Sequence, residues 1–149
     1  MANRFCDIVK LAGRKANRRF VFGTTSGCDY PVIKPKIPWS AFVAHSDAVY
    51  PQTYWAPNFK KAKRTTPDAA YKIGMDAWQA VVPQSMNMVP IMGEISTNKP
   101  DEINRFGEIL AANGEAEVHI YTYSKALLNS KYNEMWSAVR NLGSTALIS

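Results

Sequence analysis

Six of the nine prolines in this chain of 149 residues lie between Tyr30 and Pro67. Each proline lacks an amide donor and biases the residue before it toward extended backbone. The same stretch carries more large aromatic side chains than a solvated linker would expose. They are Tyr30, Trp39, Phe42, Tyr50, Tyr54, Trp55 and Phe59. The pattern predicts an extended arm over residues 30–66, with no long helix and no central strand, lying on its own domain or on a partner.

Helical periodicity flanks this arm on both sides. Residues 3–15 place apolar side chains on one face and predict an N-terminal amphipathic helix. The aromatic and β-branched residues 20–22 predict a short strand, closed by a glycine-containing turn over 23–27. After the arm, Thr66 and the following proline can open a second helix, whose apolar residues repeat at helical spacing until Pro83.

The C-terminal part of the chain predicts the order strand, helix, strand, helix. The strands are expected at 90–96 and 117–123, and the helices at 98–114 and 124–143. With a helix between them, the two strands are predicted to be parallel neighbours joined by a right-handed crossover.

The predicted fold is therefore α+β, or a small α/β fold. The C-terminal β-α-β-α unit, the N-terminal amphipathic helix and the extended arm are expected to form one domain, because the length and the 46% apolar content suit a single core. Its three regions are residues 1–29, 30–66 and 67–149.

Charge is divided unevenly along the sequence. Through Arg64 there are twelve Lys and Arg against three Asp, a net +9, whereas from Thr65 onward there are six against nine acidic residues, a net −3. This asymmetry indicates that the first half faces an acidic partner, such as an acidic protein, nucleic acid or an anionic membrane.

The sequence offers little to support a cofactor, a metal site or a catalytic group. No GxGxxG or P-loop pattern occurs, and the two cysteines and two histidines lack ligand spacing. Ser46, His45 and Asp47 are sequence neighbours and point to different sides, so they do not predict a catalytic triad. His119 shares a strand face with Glu117, Tyr121 and Tyr123, and we expect cross-strand packing there more than proton transfer. We predict no cofactor and no metal, and we lean against an enzyme.

The N-terminus and the apolar runs bear on localisation. No apolar run approaches the roughly 20 residues that a membrane-spanning helix needs, and no secretory signal core is present. The sequence predicts no membrane span and no secretion, which leaves intracellular, virion and mitochondrial locations open.

The strongest binding pattern is the end of the arm, where aromatic residues precede a cluster of cations. The candidate binding residues are Tyr54, Trp55, Phe59, Lys60, Lys61, Lys63, Arg64, Arg18, Arg19, Lys34 and Lys36. Such a group suits docking on an acidic protein, with aromatic anchors and a cationic rim. It also suits single-stranded nucleic acid, where bases stack and phosphates pair with cations.

Three function classes remain. We expect a non-enzymatic subunit of a large assembly, such as a virion or an organellar complex, whose arm docks on neighbouring subunits. The alternatives are an RNA or single-stranded-DNA binding protein and an enzyme whose site has no local signature. The partners expected are other protein subunits with acidic surfaces, and self-association and nucleic acid also stay open.

Overall fold

The computed structural model of the protein describes residues 1–56, 63–93, 95–121 and 133–145. The helices in these ranges are α1 (Ala2–Ala16), α2 (Tyr30–Ile33), α3 (Trp39–His45), α4 (Pro67–Gln79), α5 (Pro100–Ala112) and α6 (Asn133–Thr145). The strands are β1 (Gly23–Gly27), β2 (Ala48–Gln52), β3 (Ile91–Met92) and β4 (His119–Ile120). About half of the described residues are helical, and the strands pair in parallel, β1 with β2 and β3 with β4, consistent with an α+β fold.

The described residues divide into two compact units. The first unit comprises residues 1–52 and 73–89, and the second comprises residues 53–72 and 90–149. The proposed arm therefore contributes to both units.

The core of the first unit is built around two tryptophans. The rings of Trp39 and Trp78 meet edge to face at 5.4 Å between their centroids, and Val43, Val49 and Val82 complete the buried cluster. Helix α1 lies against α3, with Cys6 buried. Met86 and Met88 pack against the same cluster, where their flexible side chains help to fill the core.

The core of the second unit is built on α5. Its residues Ile103, Phe106 and Leu110 are buried, as the helical spacing predicts, and α6 packs beside it. Strand β3 precedes α5 and pairs in parallel with β4, which follows it. The helix predicted at 124–143 lies partly outside the described residues, and its described part is α6.

Two expectations for the first half are wrong. The strand is at 23–27, where a turn was predicted, and it pairs with β2 in register from Gly23 with Ala48 to Gly27 with Gln52. The hydroxyls of Thr24 and Ser46 lie 2.6 Å apart and satisfy each other in a buried position. A polar, glycine-containing sequence can form this strand because its partner strand and these hydroxyl groups supply the bonds that a turn would supply locally.

The arm is also not extended throughout. Residues 30–66 contain α2, α3 and β2, and β2 pairs in parallel with β1 and bridges from Val49 to Met88, despite Pro51. Two of its seven aromatic side chains, Trp39 and Trp55, are buried by the chain itself, and Phe42, Tyr50 and Tyr54 are partly buried. The described part of the arm is therefore folded, and its two tryptophans belong to the cores of the two units.

Candidate functional site

Trp55, a predicted partner anchor, is fully buried in the second unit. Its ring centroid lies 5.0 Å from that of Phe106, and its Nε1 donates a hydrogen bond of 3.3 Å to Oε2 of Glu102. An indole covered in this way offers no free face to a base or to a neighbouring subunit. The side chain packs as a core residue, and a binding role for it stays a prediction.

Arg64 is committed to the same carboxylate. Its guanidinium pairs with Glu102 and also donates to the backbone oxygen of Thr97 at 3.0 Å. The backbone amide of Lys99 donates to Glu102 at 2.9 Å, at the start of α5. Trp55, Arg64 and the first turn of α5 are thus joined at a single side chain. This reduces the charge that Arg64 can offer to an external phosphate or carboxylate.

The pKa of Glu102 reflects these contacts. Burial alone would raise it, but the hydrogen bonds from Arg64, the Lys99 amide and Trp55 outweigh that effect and hold the pKa below its ordinary value. A carboxyl group whose pKa is lowered by folding stabilises the folded state above its unfolded pKa. That stabilisation is lost as the pH falls through the lower, folded pKa.

We expect Glu102→Gln to lower the free energy of unfolding by about 1–2 kcal/mol at pH 7, because hydrogen bonds to a charged acceptor are replaced by weaker neutral ones. The difference from the native chain should shrink as the pH falls below about 4.3, the ordinary pKa of glutamate. Chemical denaturation at several pH values measures both effects. The exposed change Glu108→Gln serves as the control, and a difference for Glu102→Gln that stays constant with pH would contradict this account.

Tyr54 and Tyr121 form a stacked pair in the second unit. Their ring centroids are 6.1 Å apart, and the planes are nearly parallel. Burial, and secondarily the neighbouring Tyr121, raises the pKa of Tyr54 to about 12, so its hydroxyl stays protonated at neutral pH. Tyr54 is half-buried and Tyr121 is exposed, which leaves Tyr121 accessible.

The remaining predicted cations that the structure describes are divided between the two units. Lys63 is exposed in the second unit, whereas Arg18, Arg19, Lys34 and Lys36 are exposed in the first. Phe59, Lys60 and Lys61 lie outside the described residues. Trp55 and Arg64 are brought together because both contact Glu102. Lys34 and Lys36 lie two residues apart in a single turn of the chain.

Lys34 and Lys36 belong to a segment, residues 30–37, that the structure fixes in place. Lys34 donates its amide to the oxygen of Tyr30 at 2.8 Å, and Ile37 donates its amide to the oxygen of Lys34 at 3.1 Å. The indole Nε1 of Trp39 donates to the same Lys34 oxygen at 2.9 Å. Since Trp39 is buried against Trp78, the turn is tied to the core of the first unit.

The side chains of the 30–37 segment are largely exposed. Val32 and Ile33 each expose more than half of their surface, and Tyr30, Ile37 and both lysines are also exposed. The sequence reasoning named the lysines and missed Val32, Ile33 and Ile37. The sequence does carry a signal for this exposure. Val32 and Ile33 lie between two prolines, and the segment between those prolines is too short to form a helix that would bury both side chains.

The histidines are explained by local contacts. His45 lies 3.2 Å from Asp7 and its Nδ1 is 2.8 Å from the Ala41 oxygen, whereas Asp47 accepts from the amide of Phe22 and Ser46 donates to the oxygen of Phe42. His119 pairs with Glu117 at 2.7 Å on an exposed surface. His45, Ser46 and Asp47 are neighbours in sequence, but each of them makes a separate contact.

Across the described parts of the chain, no group of three or more His, Cys, Asp or Glu side chains could hold a metal ion. In those same parts, no helix has both the length and the apolar character required to cross a bilayer. Comparison with protein-family models, curated proteins and solved structures finds no match to the chain. The function is therefore inferred from its own residues.

Proposed function

We propose that the protein is a non-enzymatic subunit of a larger protein assembly, and that it docks on an acidic surface of a neighbouring subunit through the 30–37 segment of its arm. The observation that carries this proposal is the exposure of Val32, Ile33 and Ile37 beside Lys34 and Lys36. An apolar centre with cations at its edge is the composition that protein interfaces favour.

The backbone of the segment supports this role. Its hydrogen bonds to the backbone oxygens of Tyr30 and Lys34, one of them from the Trp39 indole, hold the backbone in one arrangement before any partner arrives. A surface that is already ordered loses less conformational entropy on binding, which favours affinity. The contact would therefore resemble the docking of a rigid turn more than the folding of a disordered strap.

The charge of the segment favours an acidic partner. Lys34 and Lys36 are exposed, and the first unit as a whole carries eight Lys and Arg against four Asp. Complementary charge steers encounter and disfavours partners of like charge. The burial of Trp55 and the pairing of Arg64 with Glu102 move the centre of the proposed surface away from residues 54–64 and toward residues 30–37.

The proposal is tested by the native size of the tagged chain in extracts of its source cells. We expect the native chain to elute well above its own mass of 16.6 kDa. The double variant Val32→Ser/Ile33→Ser should elute as the free chain, because it removes the apolar centre of the interface. The variant Lys34→Glu/Lys36→Glu should weaken the association by at least about tenfold.

The matched control is Ile73→Ser, which alters an exposed apolar residue on α4 of the same unit. Exposed substitutions of this kind usually change stability by about 0.5 kcal/mol or less, so each variant should remain folded by circular dichroism. A native chain that elutes alone would overturn the proposal, as would an equal effect of Ile73→Ser. If nuclease digestion dissolves the complex and Val32→Ser/Ile33→Ser does not, the nucleic-acid alternative replaces it.

A further inference from the structure

Helix α1 has a second apolar face that the first unit does not cover. Its packed side is fixed on α3, where Cys6 is buried and Nζ of Lys10 donates to the oxygen of His45 at 2.6 Å. Away from that side, Phe5, Ile8 and Leu11 each expose more than half of their surface. Residues at these spacings form one stripe along a helix. The stripe is therefore continuous, and each of its three side chains is more than half exposed.

Two cations interrupt the same stripe near its ends. With a turn of 3.6 residues, Arg4 and Lys15 project between the directions of Ile8 and Leu11 on the helical wheel, one near each end of α1. Both are exposed, and Arg18 and Arg19 follow the helix with exposed side chains. Long cationic side chains can lift their charged ends away from an apolar layer while their stems stay in it.

The acidic group on α1, Asp7, projects beside this positive surface and is itself exposed. Asp7 lies 3.2 Å from His45, and the other acid near the helix, Asp47, pairs with Lys10 and Arg14. Lys10 and Arg14 are therefore paired with Asp47, whereas Arg4 and Lys15 lie on the exposed stripe. The stripe thus combines apolar side chains with positive charge.

A second copy of the chain does not suit this stripe. In an antiparallel pair of α1 helices that places Ile8 opposite Leu11, Arg4 of one copy faces Lys15 of the other, because the two spacings are equal. In a parallel pair the same cations face themselves. Like charges opposed across a helix pair are destabilising. Charge complementarity requires an anionic occupant.

We propose that α1 also binds the surface of a lipid bilayer containing anionic headgroups. Phe5, Ile8 and Leu11 enter the boundary between headgroups and acyl chains, and Arg4 and Lys15 reach lipid phosphates at the two ends of the stripe. A convex helix with an apolar face and flanking cations lies in this plane without needing a complementary groove. This surface is distinct from the 30–37 segment, and it gives the assembly subunit a membrane contact.

The proposal is tested by co-sedimentation of the full chain with vesicles. One set contains phosphatidylcholine alone and the other contains phosphatidylcholine and phosphatidylserine at roughly 7:3, a strongly anionic surface. We expect binding to the second set only, weakening as salt rises. Ile8→Ser/Leu11→Ser should reduce the affinity by at least about tenfold, because it removes apolar surface from the contact.

A charge-matched comparison separates this surface from general attraction. Arg4→Gln/Lys15→Gln should weaken vesicle binding by roughly 30-fold, since each cation near an anionic bilayer contributes about 1 kcal/mol. Lys34→Gln/Lys36→Gln removes the same charge elsewhere and should weaken it by less than about threefold. Ile73→Ser, with its exposed apolar residue on α4, should bind as the native chain does.

Three results would overturn the proposal: no preference for the anionic vesicles, equal losses from the two charge variants, or native binding by Ile8→Ser/Leu11→Ser. Each variant is checked for native circular dichroism before binding is measured. Failure here leaves the assembly proposal intact, because that proposal is tested by Val32→Ser/Ile33→Ser in the native complex.

Discussion

Replacing Trp55 by alanine should lower the free energy of unfolding by about 3–5 kcal/mol, the usual cost of removing a buried tryptophan or phenylalanine ring. The ring is fully buried and packs on Phe106, and its Nε1 bonds to Glu102. Removal therefore leaves a cavity against α5 and takes one donor from a carboxylate. Urea or guanidinium denaturation of the full chain measures the change.

Trp55→Phe is the matched control for this prediction. It keeps an aromatic ring beside Phe106 and removes the donor to Glu102, so we expect an intermediate loss of about 1–2 kcal/mol. If Trp55→Ala retained native stability while partner binding was lost, Trp55 would be an interface anchor, contrary to its burial here.

Replacing Trp78 by alanine should also cost about 3–5 kcal/mol, because the indole fills the core of the first unit against Trp39. The expected result for Trp78→Phe is different. Nε1 of Trp78 is buried with no hydrogen-bond partner among the residues that the structure describes. Phenylalanine removes that unpaired donor, so its loss of packing is partly offset and the cost should stay below about 1.5 kcal/mol.

The comparison between the two tryptophans is the sharper measurement. Trp55→Phe breaks a hydrogen bond and Trp78→Phe breaks none that the structure describes. As a fraction of the stability lost in the corresponding alanine variant, Trp78→Phe should therefore cost less than Trp55→Phe. A Trp78→Phe variant that destabilises as strongly as Trp78→Ala would show that the indole makes a contact beyond those described.

Much of the helical structure could be predicted from the sequence. The apolar spacing in residues 3–15 predicts α1, and Thr66 predicts the start of α4, where its Oγ1 accepts from the amide of Ala69. Within α5, Ile103 and Phe106 are buried as their spacing indicates. These features are local, because helix hydrogen bonds and helix faces are set by residues a few positions apart.

The strands of the first unit could not be predicted in the same way. Strand β1 contains two glycines and hydroxyl residues, and β2 contains Pro51, so each sequence alone resembles a turn or an edge. Each becomes a strand because its partner lies about 25 residues away, and a single sequence gives no measure of that pairing. A propensity of this kind depends on neighbours in the sheet.

For the same reason, the sequence alone predicts only part of the environment of the candidate binding residues. Trp55 follows a tyrosine and precedes a basic run, which locally resembles an interface, but the residues that cover it are Phe106 and Glu102, about fifty positions later. Lys34 and Lys36 are exposed, as their charge and the flanking prolines indicate. Local composition predicts charge well and burial poorly.

The first unit is made of two separate segments, residues 1–52 and 73–89, and these segments leave the ribosome at different times. Trp39 is translated 39 residues before Trp78, so a nascent chain holds an uncovered indole until Trp78 follows. Exposed apolar surface of this kind attracts chaperones and promotes aggregation. Any truncated product ending before residue 89 would leave both units incomplete. Premature termination should therefore yield insoluble or rapidly degraded fragments instead of a functional half.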